Sequence, residues 1–219
     1  MQQEPLVLLG GHMCDARIFT PQISEFSKER MVIVPPVMSG RSIPDYIRGI
    51  LDHLPRKFAV AGYDLDGFGA MEMLHKAPDR ISRIALIAMH ALADTPQESA
   101  AREADITKAR AGCGYTVLED RALACVGSGT NRSHTLQVVR DMALVLGPEV
   151  MVEQIRAIQN DQTSKAPCVS AVLQLRCCVV NKICGHHQSG MNLWLRLFTT
   201  QHCISSQIPD IIPLLNSLK

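Results

Sequence analysis

The sequence predicts an α/β protein: a three-layer α/β/α sandwich on a mostly parallel sheet, with a helical cap inserted into it. Three observations predict it. Short apolar runs alternate with amphipathic segments through the front half of the chain. From Thr95 the alternation gives way to helical patterns alone. A length of 219 residues suits one substantial core with an insertion better than two independent domains.

PLVLL (5–9), MVIVPPV (31–37), KFAVA (57–61) and RIALIAM (83–89) are apolar nearly throughout, as strands buried on both faces must be. Between them, ARIFTPQISEFS, SIPDYIRGILDHL and FGAMEMLHKAPDRI are amphipathic, which places crossover helices on both faces of a parallel sheet. Met71 and Met73 are expected to pack the third of these helices on the sheet. Thr95, Pro96 and Glu98 then form a helix start: a hydroxyl cap, a proline in the first turn and a glutamate that reaches back to the cap. Helices follow over TPQESAAREADITKARAG, YTVLEDRALACV, SHTLQVVRDMALVLG and PEVMVEQIRAIQN, broken at Gly112/Gly114, at GSGTN and at Gly147-Pro148. The boundaries expected are therefore 1–94 for the first part of the core, 95–160 for the helical cap and 161–219 for the remainder of the core, with VLQLRCCVV (172–180) as a fifth strand.

The formal charge of +1 gives no electrostatic reason to expect nucleic acid or an anionic membrane as partner. MQQEPLVLLGGHMCD lacks the basic and sustained apolar regions of a signal peptide, and nowhere do apolar residues run far enough to span a bilayer. The expectation is a soluble, cytoplasmic protein, monomeric or homodimeric, whose eight cysteines stay reduced as small hydrophobes. Five of those cysteines, Cys168, Cys177, Cys178, Cys184 and Cys203, crowd the last quarter, where Asp210 is the only acid after Asp161. A change of coding frame between about 162 and 180 would produce this shift together with the loss of strand-helix alternation. Translation of the gene in its other two frames tests it: absence of a strand followed by G-x-x-D and a later G-H would sink the idea.

Chemistry concentrates at FAVAGYDLDGFGAMEML. A strand that ends in G-x-nucleophile-x-G and turns directly into a helix is a nucleophile elbow. Its central side chain projects at a helix N-terminus, whose amides hold an oxyanion. Here Gly62 precedes the centre by two residues and Asp64 occupies it. At this point the chain resembles the α/β-hydrolase superfamily, in particular its small esterase- and lactonase-like members, over about residues 5–160. PLVLLGGHMCDARIFTPQI resembles that family's first core strand and oxyanion loop, usually L-L-H-G, and AMEMLHKAPDRISRIALIAMHALADTPQ resembles its elbow helix, next strand and approach to the cap. The departures are specific. Aspartate stands at position 64 where the family has serine, Asp66 stands where the turn wants a small residue, and Gly10 replaces the histidine of the loop motif.

The resemblance implies a hydrolase of a small, largely apolar carboxylic ester or lactone, with no cofactor. It places Asp64 at the nucleophile position, the backbone amides of His12 and Leu65 at the oxyanion hole, and Gly11 and Met13 against the substrate. The family's order of nucleophile, acid and histidine leaves His202 or His186 as base and Asp210 as acid; Gly185-His186 has the expected dipeptide but follows the fifth strand directly. Asp66 reads as a strained substitution or an exposed helix-start acid rather than a catalytic group, although two neighbouring carboxylates should raise one pKa.

Two alternatives stand beside this reading. Carboxylate attack on an ester would give an anhydride, whereas attack on saturated carbon gives an ordinary alkyl ester. Asp64 as nucleophile therefore fits a haloalkane dehalogenase or epoxide hydrolase. The other alternative is a catalytically silent fold. Zinc is not expected: Cys177, Cys178, Cys184, His186, His187 and Cys203 are the right ligand types in a spacing that matches no zinc motif, and adjacent strand residues point to opposite faces.

Overall fold

The computed structural model describes residues 3–87, 94–125, 132–160 and 177–180. Within them run β1 (Gln3–Leu9), a 3₁₀ turn (Ala16–Phe19), α1 (Thr20–Phe26), β2 (Arg30–Ile33), α2 (Ile43–Leu51), β3 (Phe58–Tyr63), α3 (Asp66–Lys76) and β4 (Ile81–Ile87). The helices α4 (Pro96–Lys108), α5 (Gly114–Cys125) and α6 (Arg132–Asn160) follow, and then β5 (Cys177–Val180). The strands form one parallel sheet in the order β2-β1-β3-β4-β5.

The apolar runs are strands because both faces of the sheet are covered. Val7, Leu9, Val60 and Leu86 point to the face that α2 and α3 bury with Ile43, Ile47, Met71, Met73 and Leu74. Their alternates Leu6, Leu8, Ala59, Ala61, Ala85 and Ile87 point to the opposite face, where Phe19 and Phe26 lie. These layers make the three-layer sandwich, and Met71 and Met73 pack as the sequence implies. Two strands are shorter than their apolar runs. β2 ends at Ile33, ahead of Pro35 and Pro36, which have no N–H to give a ladder. β5 covers the end of the 172–180 run, pairing Cys177–Val180 with Ile84–Ile87.

The helices α2 and α4 begin at side-chain caps. Ser42 accepts the Asp45 N–H at 3.3 Å and Pro44 occupies the first turn of α2. Thr95 and Glu98 complete the expected reciprocal cap of α4. Gly112 (φ 86°) turns the chain between α4 and α5, and Gly147 (φ 79°), just ahead of Pro148, kinks α6 into two arms. The helices build a third apolar cluster from Ile106, Val117, Leu118, Ala143, Met151 and Ile155, with Met13 from the core inserted among them. Ala157 and Ile158, at the end of α6, belong to the sheet's own cluster instead. Among the described residues no helix is long and apolar enough to cross a membrane.

Candidate active site

In a parallel sheet of this order the chain leaves β1 toward one edge and returns on the other side of β1, so the crevice beyond the carboxyl ends of β1 and β3 is the switch point where ligands bind. Residues 10–15 follow β1 there, and residues 64–67 follow β3. Leu9, Gly62 and Leu86 are in register across the three central strands, and the Asp64 N–H extends the ladder to the Ile87 carbonyl at 2.9 Å. Asp64 itself has φ +51°, a left-handed conformation that aspartate tolerates better than most residues. The chain then enters α3 at Asp66, with Gly67 N–H on Asp64 O and Phe68 N–H on Leu65 O, both at 3.1 Å.

The corner needs its glycines. A Cβ on Gly62 would lie 2.5 Å from Asp66 O, 2.7 Å from Gly67 Cα and 2.9 Å from Ala70 Cβ, so strand and helix touch at this point. A Cβ on Gly11 would lie 2.6 Å from the Tyr63 ring and 3.1 Å from Asp64 Cβ, which lays the loop after β1 directly on the corner. From that loop the His12 N–H donates to Asp64 Oδ2 at 3.1 Å. Met13 follows with φ +54°, its side chain 2% exposed among the helices and its N–H donated to Gln154 Oε1 at 2.9 Å. Leu65 is buried at the start of α3.

Asp66 differs from its expected exposed setting: it is 4% exposed. Its two carboxyl oxygens lie 3.9 Å from where the Cβ atoms of Gly10 and Gly69 would be, so two residues without side chains flank it. Burial pushes this carboxyl well above the ordinary range, and the charge of Asp64 pushes it further. Both causes favour the neutral form of Asp66. Cys14 is also buried, its Sγ donating to His12 O at 3.4 Å; burial and then Asp64 raise the thiol to about 12, which keeps it protonated and unreactive.

No family model and no curated protein sequence matches the chain. Solved structures do. A thermophilic esterase from Thermogutta terrifontis superposes with TM-score 0.71 at 18% identity, over 90% of this chain and 92% of that one. A hydrolase from Pseudomonas aeruginosa gives TM-score 0.68 at 13% identity, over 90% and 91%. An enol-lactonase from Burkholderia xenovorans gives 0.64 at 19%, over 81% and 72%.

The chain has the α/β-hydrolase fold.

Within that fold, Asp64, His12, Leu65, Gly11 and Met13 gather at one corner, four of them within a few residues of the switch point and Met13 turned away into the helices. His186, His202 and Asp210 lie outside the described residues, as do Cys184, His187 and Cys203. Among the described residues no group of three or more His, Cys, Asp or Glu side chains is placed to hold a metal ion. Sequence reasoning passes over Gln154. Its signal is local: a lone polar residue on the face that Met151, Ile155 and Ile158 make apolar, which asks for a buried hydrogen-bond partner.

Proposed function

We propose that the chain is a hydrolase of the esterase or lactonase type, acting at the Asp64 corner on a small, largely apolar substrate. The observation that carries this reading is the left-handed Asp64 at the strand-to-helix turn, with the His12 amide on its carboxylate, at the switch point of the sheet. The activities named for the structural neighbours, an esterase and an enol-lactonase, support the substrate class. In this reading Asp64 works as a base, which avoids an anhydride. His12 holds Oδ2 and Oδ1 takes a proton from water as the water oxygen bonds to the acyl carbon. The resulting oxyanion meets the Leu65 amide at the start of α3. Collapse breaks the bond to the alcohol oxygen, which leaves with the proton and returns Asp64 to carboxylate.

A second reading is favoured by the same 3.1 Å hydrogen bond. The amide expected to receive a substrate carbonyl is engaged by Asp64's own oxygen, and that suits a carboxylate nucleophile on saturated carbon. After displacement of halide or opening of an epoxide, the carbonyl that water must attack is the one of the alkyl-Asp64 ester.

Two assays on wild type and Asp64→Asn separate the readings. Turnover of short p-nitrophenyl esters or lactones, reduced at least ~100-fold in Asp64→Asn, is the expected result. A covalent alkyl adduct on the Asp64 peptide after incubation with an alkyl bromide or epoxide, seen by mass spectrometry, would select the second. Neither turnover nor adduct would retire both in favour of a silent fold.

A further inference from the structure

We propose that Gln154 is a positioning residue: from the second arm of α6 it fixes the loop after β1 so that the His12 amide meets Asp64. Its significance for turnover rests on the reading of Asp64 as the reacting group; its geometry does not. Gln154 is 1% exposed. Its Oε1 accepts the Met13 N–H at 2.9 Å and its Nε2 donates to the Met38 carbonyl at 3.2 Å. Both ends of the amide are thus committed, to two loops 25 residues apart, and reversing it would set donor against donor and acceptor against carbonyl.

Met13 needs holding. An unbranched residue at φ +54° sits in a sparsely populated backbone region, and such a residue persists where its surroundings impose it. Here the imposition comes from the helical layer, which takes the Met13 side chain into its apolar cluster and its N–H onto Gln154. One residue back, the His12 N–H reaches Asp64 Oδ2. The neighbours of Gln154 grip elsewhere: Glu153 Oε2 accepts the Gly40 N–H at 2.8 Å, and Asn160 Nδ2 donates to the Arg41 carbonyl at 3.1 Å. They anchor α6 to the loop before α2, while Gln154 carries that anchorage across to the residue beside His12.

The experiment is amide hydrogen exchange by NMR on the full chain, with turnover measured in parallel, for wild type, Gln154→Met, Gln154→Glu and Asn160→Ala. Gln154→Met keeps the length and removes the acceptor; it should speed exchange at both Met13 and His12 by roughly tenfold or more while Val60 in β3 keeps its protection. Gln154→Glu, measured at low pH where its carboxyl is protonated, keeps the acceptor for the Met13 N–H and an O–H for the Met38 carbonyl, and should keep both amides protected. Asn160→Ala removes a grip that does not reach this loop and should leave His12 unchanged. Turnover in Gln154→Met should fall about tenfold or more in kcat with KM nearly constant, as expected when a reacting group is misplaced while substrate binding is intact.

Unchanged His12 exchange in Gln154→Met, with Met13 exposed, overturns the proposal. Absence of wild-type turnover would instead count against the proposed function and leave the exchange result to decide this point. If Gln154→Met fails to fold, with Val60 unprotected, native-state exchange of the wild type in rising denaturant decides. His12, Met13 and Ile155 should then open together, and His12 opening well before the other two overturns the proposal.

Discussion

A carboxyl group buried at the start of a helix would ordinarily ionise toward the positive end of the helix dipole, yet at Asp66 desolvation and the neighbouring Asp64 both oppose the charge. The consequence is a pH dependence of unusual sign. In the unfolded chain Asp66 loses its proton near the ordinary 3.8, while in the folded chain it keeps it to higher pH. Raising the pH therefore favours unfolding: the penalty is absent below the unfolded value and grows above it, by up to about 1.4 kcal/mol per pH unit, until the folded carboxyl ionises. Asn cannot ionise, so Asp66→Asn should gain stability relative to wild type as pH rises from 4.5 to 7. Urea unfolding at the two pH values measures it; wild type and variant changing in parallel would mean that Asp66 is not held neutral. Asp64 is legible from sequence because the motif is local, with strand, glycine and helix within a few residues. The burial of Asp66 is not, because it depends on Gly10, far away in the chain, and on which way one turn of helix faces.

At the scale of elements, the strands are legible because each is apolar on both faces, and a run of that kind has few other places to go. Their ends are less so. β2 stops ahead of two prolines that a hydropathy reading includes. The start of α4 is legible to the residue, since its chemistry is carried by adjacent side chains. Thr95 Oγ1 accepts the Glu98 N–H at 3.2 Å, and Glu98 Oε2 accepts the Thr95 N–H at 2.7 Å and its hydroxyl at 2.8 Å. Arg102 adds a two-pronged ion pair with Asp94, at 2.6 and 3.2 Å, tying the residue before the cap to the next turn. Thr95→Ala should destabilise the protein by ~1 kcal/mol. Because Thr95 and Glu98 satisfy each other, the double variant with Glu98→Ala should lose less than the two single losses added. Thermal or urea unfolding of the four proteins gives the cycle, and strict additivity would show that the two halves of the cap act independently.

At the scale of the whole molecule, the sheet and the helical layer share residues rather than only a boundary. Met13 leaves the loop after β1 to join the helices, and Ala157 and Ile158 leave α6 to join the sheet. Gln154, Glu153 and Asn160 bridge to three backbone positions between Met38 and Arg41. This mutual insertion escapes sequence reading, which assigns α6 to a cap by its periodicity and does not register the few residues that face the other way. It makes a definite demand on cooperativity. If the layers depend on each other, α5 cannot unfold while the sheet remains native, because loss of the helices strips the cover from Met13 and draws Ile158 out of the sheet core. Amides of Leu118 in α5 and Val60 in β3 should then exchange through one global opening with the same dependence on denaturant. Ile158→Ala, which hollows the sheet side of the seam, should lower both protections equally, by ~2–4 kcal/mol. A helical layer that loses protection at lower denaturant than β3, or an Ile158→Ala effect confined to the sheet, would make the two layers separate folding units. The second arm of α6 would then be a removable lid on the Asp64 corner, not part of its frame.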